Sequence, residues 1–258
     1  MARKNVEGNC RLCGKHGPLC KSHYVGRAVE RLGSTNGEPK ILLTPQLAIE
    51  TQRQLWTHLL CPKCEGRLNK LGETPVVKLL DDGKRFPLLN LMQPSHALSR
   101  TPDVMTFSGR RMGIDSESLA HFVLGILWKG AVHDWKTVEK QTSRVNLGEF
   151  EEPIRRYLLG ETELPDGVYV GVSVCTDLAS RGMVLPPAEF PGKFRRFSIL
   201  VRGVWFFVIT DKQRSIDLKN MCCVRSKEKV LHFENCEQRL LHGTRIFFSA
   251  KVAPNLRS

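Results

Sequence analysis

Two Cys-x2-Cys pairs, Cys10/Cys13 and Cys61/Cys64, stand with 47 residues between them, and nothing else in the chain constrains its fold as strongly. Four thiolates make the closed tetrahedral shell of a structural zinc site. The nine cysteines are an odd number, and the opening "MARKNVEGNC" lacks the apolar core of a secretory signal. A disulfide framework is therefore not expected, and the paired cysteines read as metal ligands. Cys20 and His16 are near enough in sequence to substitute for one of the four, though each alone reads as a bystander.

The 258 residues suit one large domain or two modest ones, with an ordinary 41% hydrophobic and 25% charged content. The longest apolar run, Leu119 to Val132, is broken by His121 and Lys129 and is too short to span a bilayer. A cytoplasmic protein without membrane association is expected. The net charge of +13 is uneven: residues 1–75 carry +6, residues 76–188 carry −1 and residues 189–258 carry +8. Basic excess at both ends favours a polyanionic partner through counterion release.

The expected fold class is α+β in three parts. Residues 1–75 form a zinc-braced module, residues 76–114 a linker or short strands, and residues 115–258 a mixed domain with a small sheet and covering helices. "VVKLL" (76–80) predicts a strand and "DDGKR" the turn after it. From Ser116, read as an N-cap, apolar residues at Leu119, Phe122, Val123, Ile126 and Leu127 predict a helix. A second helix is expected over Glu152–Leu159, with Pro153 in its first turn and Gly160 past its end. "GVYVGVSVC", "FSILVRGVWFFVIT" and "RIFFSA" predict strands.

The segments just past each cysteine pair carry the chemistry. In "KSHYV", Ser22 and His23 precede Tyr24 and Val25, as a short strand carrying an imidazole would. After Cys61, Pro62 opens a helix expected to run to about Gly72. Glu65 and Asn69 share one face of it, and Glu73 lies about one turn on.

This pattern, over residues 8–75, resembles the HNH nuclease family, in particular members whose ββα-metal (treble-clef-like) unit is braced by four cysteines. The resemblance implies that His23 is the general base activating water against a phosphodiester. It implies structural Zn2+ on Cys10, Cys13, Cys61 and Cys64, and a catalytic Mg2+ or Mn2+ near Ser22, Glu65 and Asn69. Two positions depart from the family. Ser22 stands where the family has a metal-binding Asp, and Glu65 where it often has His or Asn. One carboxylate is lost and one gained, which suits a hard cation. The family's middle Asn has no clear counterpart; Gln54, Thr57 and His58 all fall in the window. Arg27, Arg31, Arg67 and Lys70 flank these segments and are candidates to grip phosphates.

The second half is similar to segments that follow the zinc unit in uncharacterised bacterial HNH proteins, which suggests target choice or a protein partner for residues 115–258 and a role in antiviral defence. Its basic side chains (Arg195, Arg196, Arg202, Arg214, Lys219, Arg225, Lys227, Lys229) suit a nucleic-acid or partner surface. Cys222, Cys223, His232, Cys236 and His242 form a loose cluster that reads as buried small side chains rather than a second metal site. The function expected is a metal-dependent endonuclease, with DNA ahead of RNA as substrate. The alternatives are a zinc-containing nucleic-acid binder without cleavage and a structural subunit of a nucleoprotein complex.

Overall fold

The computed structural model describes residues 6–32, 41–43, 48–50, 54–81, 86–138, 141–175, 183–190, 194–213 and 215–234. In chain order the elements begin with β1 (Val6–Asn9), β2 (His16–His23), α1 (Arg27–Leu32), β3 (Ile41–Leu43), β4 (Ala48–Glu50) and β5 (Trp56–Leu60). A helical run comes next: α2 (Pro62–Leu68), a π turn (Asn69–Glu73) and α3 (Thr74–Leu80), then α4 (Pro87–Leu91). After it stand β6 (Ala97–Arg100), β7 (Val104–Ser108), α5 (Ser116–Val132), β8 (Trp135–Val138), β9 (Gln141–Ser143) and α6 (Glu151–Leu159). The remainder is β10 (Val168–Cys175), β11 (Met183–Phe190), β12 (Arg195–Val201), β13 (Val204–Thr210), α7 (Ile216–Met221) and β14 (Val230–Glu234).

The chain is mixed α+β, with the four cysteines in its N-terminal region. β1, β2 and β5 form an antiparallel three-stranded sheet. Because α2 begins two residues after β5 ends, β2, β5 and α2 make a compact ββα unit. A seven-stranded sheet runs β11-β12-β13-β10-β14-β7-β6, antiparallel except for the β10–β14 pair. β12 and β13 are joined by Arg202-Gly203, both at positive φ, as a two-residue hairpin turn requires.

α5 is the axis of the core. Nearly every side chain from Ser116 to Ala131 is buried, the pattern of a helix enclosed on all sides. On one side it packs on the sheet, where Phe122 meets Phe206 with ring centroids 5.4 Å apart. On another it meets the π turn so closely that a Cβ on Gly72 would sit 2.8 Å from the Phe122 amide nitrogen. One hydrophobic cluster accordingly extends from Cys10 to Leu231 through both halves of the chain.

Several expectations change. "VVKLL" is helical, within α3. Pro75 has no amide to give, and the π turn ahead of it resets the hydrogen-bond ladder, with Thr74 N–H reaching back to the Asn69 carbonyl. Residues 76–114, read as a linker or short strands, hold most of α3, all of α4 and the two short strands β6 and β7, which complete the seven-stranded sheet. That sheet is large rather than small. The N-cap of α5 is Asp115, whose carboxylate accepts the Ser118 N–H at 3.2 Å, rather than Ser116. α6 matches its expectation closely, ending at Gly160 with φ 73°. "RIFFSA", residues 82–85 of the expected turn, Arg214, Cys236 and His242 lie outside the described residues.

Candidate functional site

The four-cysteine site is built from two turns. Gly14, at φ 73°, lets the chain reverse so that Gly14 N–H reaches the Cys10 carbonyl at 2.8 Å and Cys10 N–H reaches that of Lys15 at 2.9 Å. Cys61 caps α2 and Cys64 lies in its first turn, with Pro62 between them. The four sulfurs all fall within 4.8 Å of one another, and Cys13 and Cys61 are 3.9 Å apart. Sulfurs at tetrahedral corners about 2.3 Å from a zinc ion would be ~3.8 Å apart. The cluster can hold a metal ion, and its donor set and spacing are consistent with structural zinc. Cys20 and His16 are not part of it. Arg155 donates to the Leu12 carbonyl, tying α6 to the first turn.

From this brace β2 and α2 diverge, and Ser22 and His23 at the end of β2 face the start of α2. Ser22 is fully buried. Its hydroxyl donates to Glu65 Oε2 at 2.7 Å and accepts the Leu60 N–H at 3.2 Å. His23 is half-buried beside it, and the Gln54 side chain hydrogen-bonds its imidazole. Of the three candidates for the imidazole's orienting partner, Gln54 therefore makes the contact. Burial and then the Arg27 guanidinium push the His23 pKa down, while Gln54 and the Glu65 carboxylate act against them. The imidazole is thus neutral at pH 7 and able to accept a proton.

Two residues without an assigned role in the sequence join the site. Lys129, 6% exposed on α5, donates from Nζ to the His23 carbonyl at 2.6 Å. Glu73 is pressed against Gly26, where a Cβ would lie 1.5 Å from its Oε1, and it accepts the Ala28 N–H. Burial raises the Glu73 pKa, opposed by the Lys129 ammonium and reinforced by Glu65. Together Lys129 and Glu73 fix the backbone from residue 23 to residue 28, immediately after the imidazole. A lone lysine in an otherwise apolar helix was the available signal for Lys129. Glu73, about one turn past Asn69, carries no sequence signal that marks it as part of the site. Eight residues along a regular α-helix put Glu73 about 80° away from Glu65, and the extra residue of a π turn brings it back.

The remaining candidates separate. Asn69 opens the π turn and takes no part in the hydrogen bonds around Glu65. Arg27 stands at the start of α1 and its field reaches His23. Arg67 is turned away, donating from Nε to the Leu158 carbonyl at 2.8 Å, because the C-terminal carbonyls of α6 need donors. Lys70 and Arg31 are exposed. Trp56, the register partner of His23, is 45% exposed, with the Lys21 ammonium 4.2 Å from its ring centroid. An exposed aromatic with a cation over it, one strand from the imidazole, is a surface the sequence alone did not single out.

Comparison with family models, with curated proteins and with solved structures finds no match. What the site can do rests on its own geometry. No helix among the described residues is long and apolar enough to cross a membrane.

Proposed function

We propose that this chain is a metal-dependent endonuclease of the HNH type, with a treble-clef-like ββα unit braced by Zn2+ on Cys10, Cys13, Cys61 and Cys64. The observation that carries this is the Glu65 carboxylate, held by the Ser22 hydroxyl and close enough to His23 for its charge to favour the protonated imidazole, with Gln54 on that imidazole.

His23, neutral at pH 7, takes the proton from an attacking water. Gln54 holds the ring, and Lys129 holds the His23 backbone at 2.6 Å. Glu65 would hold Mg2+ or Mn2+, with the Ser22 hydroxyl fixing one carboxylate oxygen; such ions are commonly bound by one or two carboxylates and keep several waters. When bound, the ion supplies charge neutralisation at the scissile phosphate and the leaving oxygen. Arg27, Lys21 and Trp56 offer phosphate and base contacts next to the imidazole. Nucleic acid, DNA ahead of RNA, is the substrate. A cytoplasmic defence role and a protein partner for residues 115–258 rest on the family resemblance.

One observation favours a second reading, a zinc-containing nucleic-acid binder without cleavage. A serine stands at the position of the family's metal-binding acid, and its hydrogen bond occupies part of Glu65.

Incubating plasmid, single-stranded DNA and RNA with the purified protein plus Mg2+ or Mn2+, alongside His23→Ala, separates the two. Cleavage that disappears in the variant is the expected result. Retarded mobility without cleavage under every condition selects the binder instead.

A further inference from the structure

Beside His23, one face of the β2–β5 pair gathers a set of side chains that suits a single strand. Lys21 is the register partner of His58, and His23 is that of Trp56. Partners in an antiparallel pair project to the same side, so an ammonium, two imidazoles and an indole share that face.

Trp56 dominates it. The residue is 45% exposed, whereas Trp128 and Trp135 are buried in the core. An enclosed aromatic side chain buries about 150–250 Å2, so the open part of Trp56 is roughly 70–110 Å2, enough for one flat partner. Its neighbours hold it in place. The Lys21 ammonium lies 4.2 Å from the ring centroid. The His58 ring stands at 89° to the indole with centroids 5.7 Å apart. A cation over one face and a ring at the side leave the indole one open face, already oriented.

That arrangement discriminates between states of the strand. In a duplex every base is stacked on its neighbours, and a side chain reaches a base face only by wedging between two steps. A wedge uses both of its own faces, and Lys21 takes one of those of Trp56. An unpaired base has a free face, and stacking it on an aromatic requires one ring face and no particular base edge.

The position fits the site. The Cα atoms of register partners lie about 4.5–5.5 Å apart, so a base on Trp56 belongs to a nucleotide adjoining a phosphate at His23. Lys21 stands two residues back along β2 from His23, ~7 Å, where the exposed ammonium can meet a neighbouring phosphate. The +6 excess of residues 1–75 adds long-range attraction.

We propose that the site takes an unpaired DNA strand in preference to an intact duplex, with one base stacked on Trp56 and an adjoining phosphate against Lys21. This rests on the reading of His23 as acting on a phosphodiester, and it specifies the state of the substrate rather than the chemistry.

The test is fluorescence anisotropy of the full chain with an end-labelled DNA single strand and with the blunt duplex of the same sequence, without added divalent ions. Cleavage of both is then followed with Mg2+ or Mn2+. The single strand should bind more tightly. Trp56→Ala should weaken its binding by a factor on the order of 10–100 and so remove the preference, whereas Trp56→Phe, which keeps a ring, should retain most of it. Lys21→Met should flatten the log–log salt dependence of single-strand binding by about 0.7, the share of one phosphate. That readout keeps the test decisive if Trp56→Ala fails to fold. The proposal is overturned by duplex binding as tight as that of the single strand, by Trp56→Ala weakening both equally, or by an unchanged salt slope in Lys21→Met. Trp56-dependent single-strand binding without cleavage would uphold the strand preference and overturn the nuclease reading. Cleavage of duplex as fast as single strand would do the reverse.

Discussion

Ser22, itself fully buried, donates its hydroxyl hydrogen to Glu65 across the gap between β2 and α2 at 2.7 Å. The same oxygen accepts the Leu60 N–H, so one small side chain links the two strands of the ββα unit to its helix. Ser22→Ala leaves a buried amide and a carboxylate oxygen without their partner. It should cost about 1–3 kcal/mol, read as a lower denaturation midpoint at unchanged slope.

Ser22→Asp places a second carboxylate against Glu65 at the proposed ion site. Two carboxylates in contact repel unless a cation lies between them. The variant should be less stable than the parent in chelator and should recover most of the difference on adding Mg2+ or Mn2+. Equal stability with and without divalent ions would show that positions 22 and 65 do not share one.

Lys129 places a buried ammonium between the His23 carbonyl and the field of Glu73. Removing the ammonium leaves the His23 carbonyl without its donor and Glu73 without the cation that favours its charged form, at about 1–3 kcal/mol. Lys129→Met should therefore unfold far more readily than the parent. Adding Glu73→Gln should return part of that loss, and a double-mutant cycle measures how much.

His121 on α5 is buried, and burial pushes its pKa down to about 4. Above pH 6.5 the imidazole is neutral in folded and unfolded chains alike and has no effect on stability. Between about 6.5 and 4 the unfolded chain takes up a proton that the folded chain refuses, so stability falls as pH falls, by about 3 kcal/mol in total. Comparing urea unfolding of the parent and His121→Phe from pH 7 to 4 isolates this effect. The variant should lack that part of the slope.

The four-cysteine unit was legible because its signal is local. Cysteine pairs, Pro62 and the Ser22-His23 step each fix a turn, a helix start or a strand end within a few residues. The α5 and α6 helices were legible through periodicity and through Gly160. The π turn was not, because a change of helical winding leaves no mark on hydrophobic spacing. The β-branched Val76 and Val77, followed by an Asp-Gly step, made α3 read as a strand. Lys129 and Glu73 reach the site only through the packing of α5 on that turn, a contact set by Gly72. Gln54 could not be separated from Thr57 and His58 in sequence, since which side chain meets His23 depends on where β5 begins. The outer face of the large sheet was hidden for a related reason: a run such as "VWFFVIT" reads as core on both sides, whereas β13 alternates buried and half-buried positions.

The central claim is that the carboxylate at 65 and the imidazole at 23 act on one phosphodiester. It is tested most directly by the Mg2+-dependent cleavage rate of Glu65→Gln, in a preparation whose zinc content and unfolding midpoint match the parent. Glutamine preserves size and the contact with Ser22 but removes the charge that would hold the ion. The predicted result is a rate lower by a factor on the order of 100 or more, equivalent to at least about 2.7 kcal/mol. Cleavage at the parental rate with the same metal dependence would contradict the account.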